Sequence, residues 1–232
     1  MQAAGRPIDA LASRPRARRS PLPDAATALA LKLALFGMVL YGATHRDLPE
    51  LGGRTTTARL VVYPAIALGV PAAWWTVGAL LRRRFPYPAA VEVLVTLPFV
   101  IDLAATILGL RNRETWWAET AHFTYWALLA AAFGALLLPL RLRPLVAAGL
   151  VLGFGATIAI VWEALEYVTL HHDPATRLAE YSGTIRDLTL ALMASLFAAV
   201  ATLAGARARR AILTRAPAFR QPPRRRPKDL DT

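Results

Sequence analysis

The chain has 232 residues, is 56% hydrophobic with a mean hydropathy of +0.39, and still carries a formal charge of +12. A soluble domain seldom joins so much apolar surface to so much base, and with no cysteine there is no disulfide, thiolate nucleophile or cysteine-based zinc site. Period-2 alternation is absent, which argues against an outer-membrane barrel, and no Walker, Rossmann, G-x-S-x-G or H-E-x-x-H motif occurs.

In chain order the apolar residues fall into six blocks, roughly 27–44, 60–81, 89–110, 118–140, 145–170 and 184–206. Each is long enough to cross a hydrocarbon core of about 30 Å. The expected fold is all-α, a polytopic bundle of six transmembrane helices over 27–206. A basic tail over 1–26 precedes it, and a basic, Pro-rich tail over 207–232, expected to be disordered, follows. No A-x-A cleavage site follows the first block, so it reads as a retained helix rather than a signal peptide.

The basic residues set an orientation. Arg6, Arg14, Arg16, Arg18 and Arg19 precede the first span, Arg82–Arg84 link the second to the third, and Arg141 and Arg143 link the fourth to the fifth. Arg207 to Lys228 follow the last span, whereas the opposite side holds only Arg46, Arg54, Arg59, Arg111, Arg113, Arg177 and Arg186. The positive-inside rule then puts both termini in the cytoplasm, as an even number of spans requires. The partners expected are the bilayer itself and anionic lipids at the basic tails. SRPRARRS and FRQPPRRRPK come with no folded nucleic-acid module, so no nucleic acid is expected. The sequence leaves the oligomeric state open.

Ionisable residues inside the spans carry the functional signal. Asp102 lies about 12 Å before the outer end of the third span at the helical rise. Glu119 and His122 share one face at the outer start of the fourth. Glu163 and Glu166 occupy the outer turns of the fifth, and Arg186 and Asp187 open the sixth. Four helices thus bring acids and a histidine to one level, whereas the inner halves carry almost only Glu92, which argues against a proton path across the membrane. Charge at that depth needs a compensating cation, proton or partner.

Three devices could balance it. A divalent metal ion as cofactor could be held by Asp102, His122, Glu166 and Asp187, with Glu119 as a substitute ligand. One of Glu163 and Glu166 could stay protonated, with Glu163 as a catalytic base. Internal pairing with Arg186 is the third. Trp117, Trp126, Trp162 and Tyr181 lie level with the cluster and could wall a ligand cavity together with Arg186; their default role is the interfacial belt. His171, His172 and Asp173 belong to a loop expected over 170–183, and no ligand spacing supports them.

The order Asp102, WWAETAHFTYW, WEALEY and YSGTIRDL resembles the YjdF-type family of bacterial inner-membrane proteins, and more distantly VanZ-like proteins. The likeness covers roughly 90–200, through Asp102, Trp116, Trp117, His122, Phe123, Trp126, Trp162, Glu163, Glu166, Tyr181, Thr184, Asp187 and Leu188. Ala118 replaces an acid of the family pattern, Gly183 replaces an Asp, and Tyr125 stands where a small polar residue is expected. The resemblance implies a site location and leaves its reaction open. The function expected is an outward-facing acidic/His site for a divalent cation or a polar lipid-linked ligand. A non-catalytic scaffold with a structural polar layer and a proton-coupled transporter are the alternatives.

Overall fold

A computed structural model describes residues 24–51, 54–84, 86–110, 116–170 and 177–215. They form six α-helices: α1 (Ala25–Thr44), α2 (Arg54–Leu80), α3 (Ala89–Ile107), α4 (Trp117–Leu137, prolonged by a 3-10 turn over Leu138–Leu140), α5 (Pro144–Leu170) and α6 (Arg177–Arg215). Among the described residues there is no strand, and all six helices are long and apolar enough to cross a membrane. The protein is a polytopic, all-α membrane protein. In such a fold each helix satisfies its own backbone hydrogen bonds, the condition for crossing hydrocarbon.

The helix ends follow from local chemistry. Asp24 caps α1, its Oδ1 accepting from the Thr27 amide at 2.9 Å and from Thr27 Oγ1 at 3.0 Å. These bonds hold its carboxyl below the usual Asp range. α2 stops in a Schellman arrangement: the Arg83 amide donates to Gly78 O, the Arg82 amide donates to Ala79 O, and Arg82 takes the left-handed backbone (φ 49). α3 ends the same way on Gly109 (φ 69), a conformation only glycine adopts without penalty.

The helices form two units of three that meet along α3 and α4. In the first, Leu35 of α1, Tyr63 and Ala67 of α2, and Phe99 and Leu103 of α3 share one core. In the second, Ala130, Val151, Ala198 and Ala199 form one core of α4–α6, and Trp126, Ala159, Ala191 and Ala194 a second. α3 touches α1, α2 and α4, and its apolar window is 56% buried, the largest share of any span. Large apolar residues such as Leu33, Val61, Trp75 and Leu145 are exposed on the outside, as contact with lipid requires.

Small residues let α5 and α6 approach closely. On α5 the buried positions recur every four residues, at Ala147, Val151, Gly155, Ala159 and Glu163. A Cβ at Gly155 would collide with Ser195 Oγ and stand 2.7 Å from Ser195 Cβ. Gly155→Ala is therefore expected to lower stability by about 1–3 kcal/mol, measured as the thermal midpoint of the detergent-purified protein. Ser195→Gly in the same chain should restore most of the loss; if it restores none, the contact is not the cause.

Two expected boundaries differ. Residues 177–183, expected in a loop, already belong to α6, which also runs on to Arg215 at the start of the expected tail. The apolar window of α6 lies between polar turns of high helix propensity (ARARRA at its end), so the helix outlasts its hydrophobic block. His171, His172 and Asp173, and the tails over 1–23 and 216–232, lie outside the described residues.

Candidate functional site

One end of the bundle carries Glu119, Glu166 and Asp187 (the acidic end), and the other carries Arg82–Arg84, Arg141 and Arg143 (the arginine end). The antiparallel run of α2 against α3 brings Arg59, near the start of α2, level with Asp102, near the end of α3. Arg59 Nε lies 3.2 Å from Asp102 Oδ2, and Tyr63 OH, one turn further along α2, donates to the same oxygen at 2.6 Å. From α4, Tyr125 OH approaches Asp102 Oδ1 at 3.4 Å. The Asp102 side chain is only 6% exposed. Its charge is balanced inside the protein by a guanidinium, and two phenols supply hydrogen-bond donors, the arrangement a buried carboxylate needs.

His122 stands one turn before Tyr125 on α4, rotated toward α5 and α6. Trp126 Nε1 donates to His122 Nε2 at 2.8 Å. An indole only donates, so Nε2 is the acceptor and the neutral ring carries its proton on Nδ1. The carboxylates of Asp187 and Glu166 lie close enough to act on the His122 charge. Glu166 Oε2 accepts from Trp162 Nε1 at 3.2 Å, an i, i+4 pair along α5. Arg186 bridges two acids: Nη1 lies 3.5 Å from Glu119 Oε1, and Nε 3.6 Å from Asp187 Oδ1. Glu163 sits deeper, buried on the stripe that packs against α6. The indole Nε1 of Trp117 is buried with no acceptor among the described residues.

The expected layer is thus two sites rather than one. Asp102 belongs to a sealed pair with α2, and His122, Glu166, Asp187, Glu119 and Arg186 form an open cluster between α4, α5 and α6. Among the described residues, no group of three or more His, Asp and Glu side chains is gathered closely enough to hold a metal ion. Asp102, His122, Glu166, Asp187 and Glu119 therefore do not make the single ligand set expected from their shared depth. The physical reason is that each already has an organic partner: Asp102 has Arg59 and Tyr63, His122 has Trp126, and Glu119 and Asp187 share Arg186. Ligation through His122 Nε2 would displace the Trp126 N–H.

No family model, curated protein or solved structure matches the chain.

Tyr125 places a phenol beside Asp102. A Cβ at Gly183 would meet nothing within 4 Å among the described residues. Ala118 is exposed.

A second buried pair escaped the sequence. Lys32 of α1 and Glu92 of α3 form an ion pair toward the arginine end, and Tyr87 OH donates to Glu92. Burial raises the Tyr87 phenol, which keeps it a hydroxyl donor at neutral pH. The side chain of Glu92 is 2% exposed. One signal could have found both pairs: Lys32 and Glu92 both lie in the halves of α1 and α3 nearest the arginine end, and Arg59 and Asp102 both lie near the opposite ends of α2 and α3.

Proposed function

We propose that this protein is a bacterial inner-membrane protein, with both termini in the cytoplasm, that binds the polar headgroup of a membrane-borne ligand. The binding groups are His122, Glu119, Glu166, Asp187 and Arg186 at the outer end of α4–α6. The observation that carries this reading is a contrast in access. The side chains of Arg186 and Glu119 are 56% and 54% exposed and that of Asp187 is 32% exposed, whereas Asp102 is sealed. Three carboxylates stand against one guanidinium and one imidazole, so the cluster favours a headgroup that is cationic or rich in hydroxyl donors. Trp162 and Tyr181, both exposed, supply amphipathic surface for a ligand arriving from the lipid, and Trp117 Nε1 is a donor in want of an acceptor. If the ligand is processed, Glu163 is the buried group placed to take a proton. The arginine asymmetry supports the orientation, and the order of motifs from Asp102 to Asp187 supports kinship with the YjdF-type family.

The test is extraction of the wild type in native lipid with a styrene–maleic acid copolymer, followed by mass spectrometry of the lipids carried along. One lipid class should be enriched over the bulk membrane, with enrichment falling about tenfold or more in Glu166→Gln and Asp187→Asn, the effect of one lost charge-assisted bond. Absence of an enriched class, or unchanged enrichment in both variants, would leave the cluster a structural layer and favour the scaffold reading.

One observation favours a second reading, proton-coupled transport. Glu92, Thr96, Asp102 and Thr106 are all buried along α3, so polar groups recur at both depths of one central helix, and Thr96 Oγ1 has no partner among the described residues. Ionisable groups inside a bundle often mark ion or proton paths. Proteoliposomes should then dissipate an imposed pH gradient, and Glu92→Gln should stop them; gradients held equally by empty and protein-bearing vesicles would end this reading.

A further inference from the structure

At the arginine end, α6 runs past the end of α4 and returns two arginines to it. Arg209 Nη1 donates to Leu138 O at 3.1 Å, and Arg210 Nη2 donates to Leu142 O at 3.0 Å. Both carbonyls lie where α4 has stopped supplying helical donors, so these bonds tie the end of α6 across the α4–α5 connection. Arg141, in the left-handed backbone (φ 52) that ends the 3-10 turn, stands between them in sequence. The three arginines edge a cavity of about 200 Å³ between α4, α5 and α6, whose other walls are apolar except for Thr202, with Leu137, Ala147 and Ala206 among them. Among the described residues, no Asp or Glu lines it.

Three guanidinium groups around a concave, apolar space raise one another's cost unless an anion joins them. A guanidinium carries five N–H donors in a planar fork matched to phosphate oxygens. Beyond the rim, Leu136 and Leu145 are exposed on the outside of α4 and α5 and offer an apolar track for acyl chains. We propose that this cavity is a headgroup site for an anionic phospholipid, with the phosphodiester held by Arg141, Arg209 and Arg210 and the chains laid against α4 and α5. It is separate from the acidic-end cluster and lies in the opposite leaflet. Basic pockets between transmembrane helices are where such headgroups bind. A bound lipid would lock the end of α6 to the α4–α5 turn.

The test uses the full-length protein in a neutral detergent, with loss of the monodisperse species on heating as readout. Dioctanoyl phosphatidylglycerol, dioctanoyl phosphatidylcholine and inorganic phosphate are each titrated. Phosphatidylglycerol should raise the midpoint in a concentration-dependent way, as any ligand of the folded state does, and the other two should leave it unchanged. Arg141→Gln should weaken the apparent affinity about tenfold, the loss of one charge-assisted contact, and Arg141→Lys should fall between. Arg207→Gln removes the same charge from α6 beside the cavity but not from its lining, and should match the wild type. The proposal is overturned if phosphatidylglycerol has no effect, if phosphatidylcholine or phosphate reproduces it, or if Arg207→Gln costs as much as Arg141→Gln. Should Arg141→Gln fail to fold, Arg141→Lys decides, since it keeps the charge and loses only the fork.

Discussion

Arg59→Met is expected to destabilise the bundle by about 3–5 kcal/mol, the usual cost of removing one partner of a buried ion pair. Asp102 would be left with its charge in a site where its side chain is 6% exposed, with two phenols among its remaining donors. Arg59 is itself 16% exposed in its side chain, so little of the interaction is screened by solvent. The informative comparison is Arg59→Met with Asp102→Asn. Asparagine is neutral yet keeps a carbonyl oxygen that can accept from Tyr63, so the double variant should recover most of the loss. Thermal midpoints of the four proteins in detergent form a double-mutant cycle, and the pair is real if the coupling reaches about 1 kcal/mol or more. Additive losses would mean that Asp102 draws its stability from Tyr63 and Tyr125 and that Arg59 only covers it.

Lys32→Met is expected to have an effect of the same order, about 3–5 kcal/mol, at the other depth of the membrane. Glu92 is more deeply buried than Asp102, and Tyr87 is the other donor to it. Lys32 is also the charged group that fixes α1 against α3. Beside it α1 makes apolar contacts such as Leu35 with Phe99 and Leu103, and apolar contacts between helices have no hydrophobic advantage over contacts with lipid tails. Lys32→Met should therefore loosen α1 specifically, read as faster proteolysis of the connection between α1 and α2 in addition to a lower midpoint. Lys32→Met with Glu92→Gln, which preserves an acceptor for Tyr87, should restore both. If proteolysis is unchanged while the midpoint falls, α1 is held by its apolar face and the ion pair serves only to neutralise Glu92.

These two pairs show where the linear reading stops. The six spans are legible in the chain because hydrocarbon imposes length and composition on each segment independently: a helix that crosses must be about 20 residues of mostly apolar side chains, whatever its neighbours are. The shared depth of Asp102, His122, Glu166 and Asp187 is legible for the same reason, since position along a spanning helix converts directly into height in the membrane. Azimuth is different. Which way a side chain points, and at which neighbour, depends on how helices of low amphipathicity rotate against one another, and lipid-exposed and protein-facing sides are both apolar. Asp102 and His122 share a level, yet Asp102 turns to α2 and His122 to α5 and α6, so one expected ligand set becomes a sealed ion pair and an open cluster. In the sequence Arg59 counted as a topology signal and Lys32 lay inside the first span, assigned to neither side; packing makes them the counterions of Asp102 and Glu92.

Glu163 and Glu166 part in the same way. Three residues separate them, a spacing that puts them on one broad face of a helix, but α5 meets α6 along an i, i+4 stripe of small residues from Ala147 to Ala159. Glu163 continues that stripe and is buried by it, while Glu166 stands to one side and accepts from Trp162. The chain alone was enough to say that six helices cross, and at what height their charges lie, because the solvent acts on every segment separately. Partnership among those charges came from helix rotation and from the close approach that Gly134 permits to Thr202 and Gly155 to Ser195, which are properties of pairs of helices: a small-residue segment allows such a contact, and only the neighbour decides where it forms.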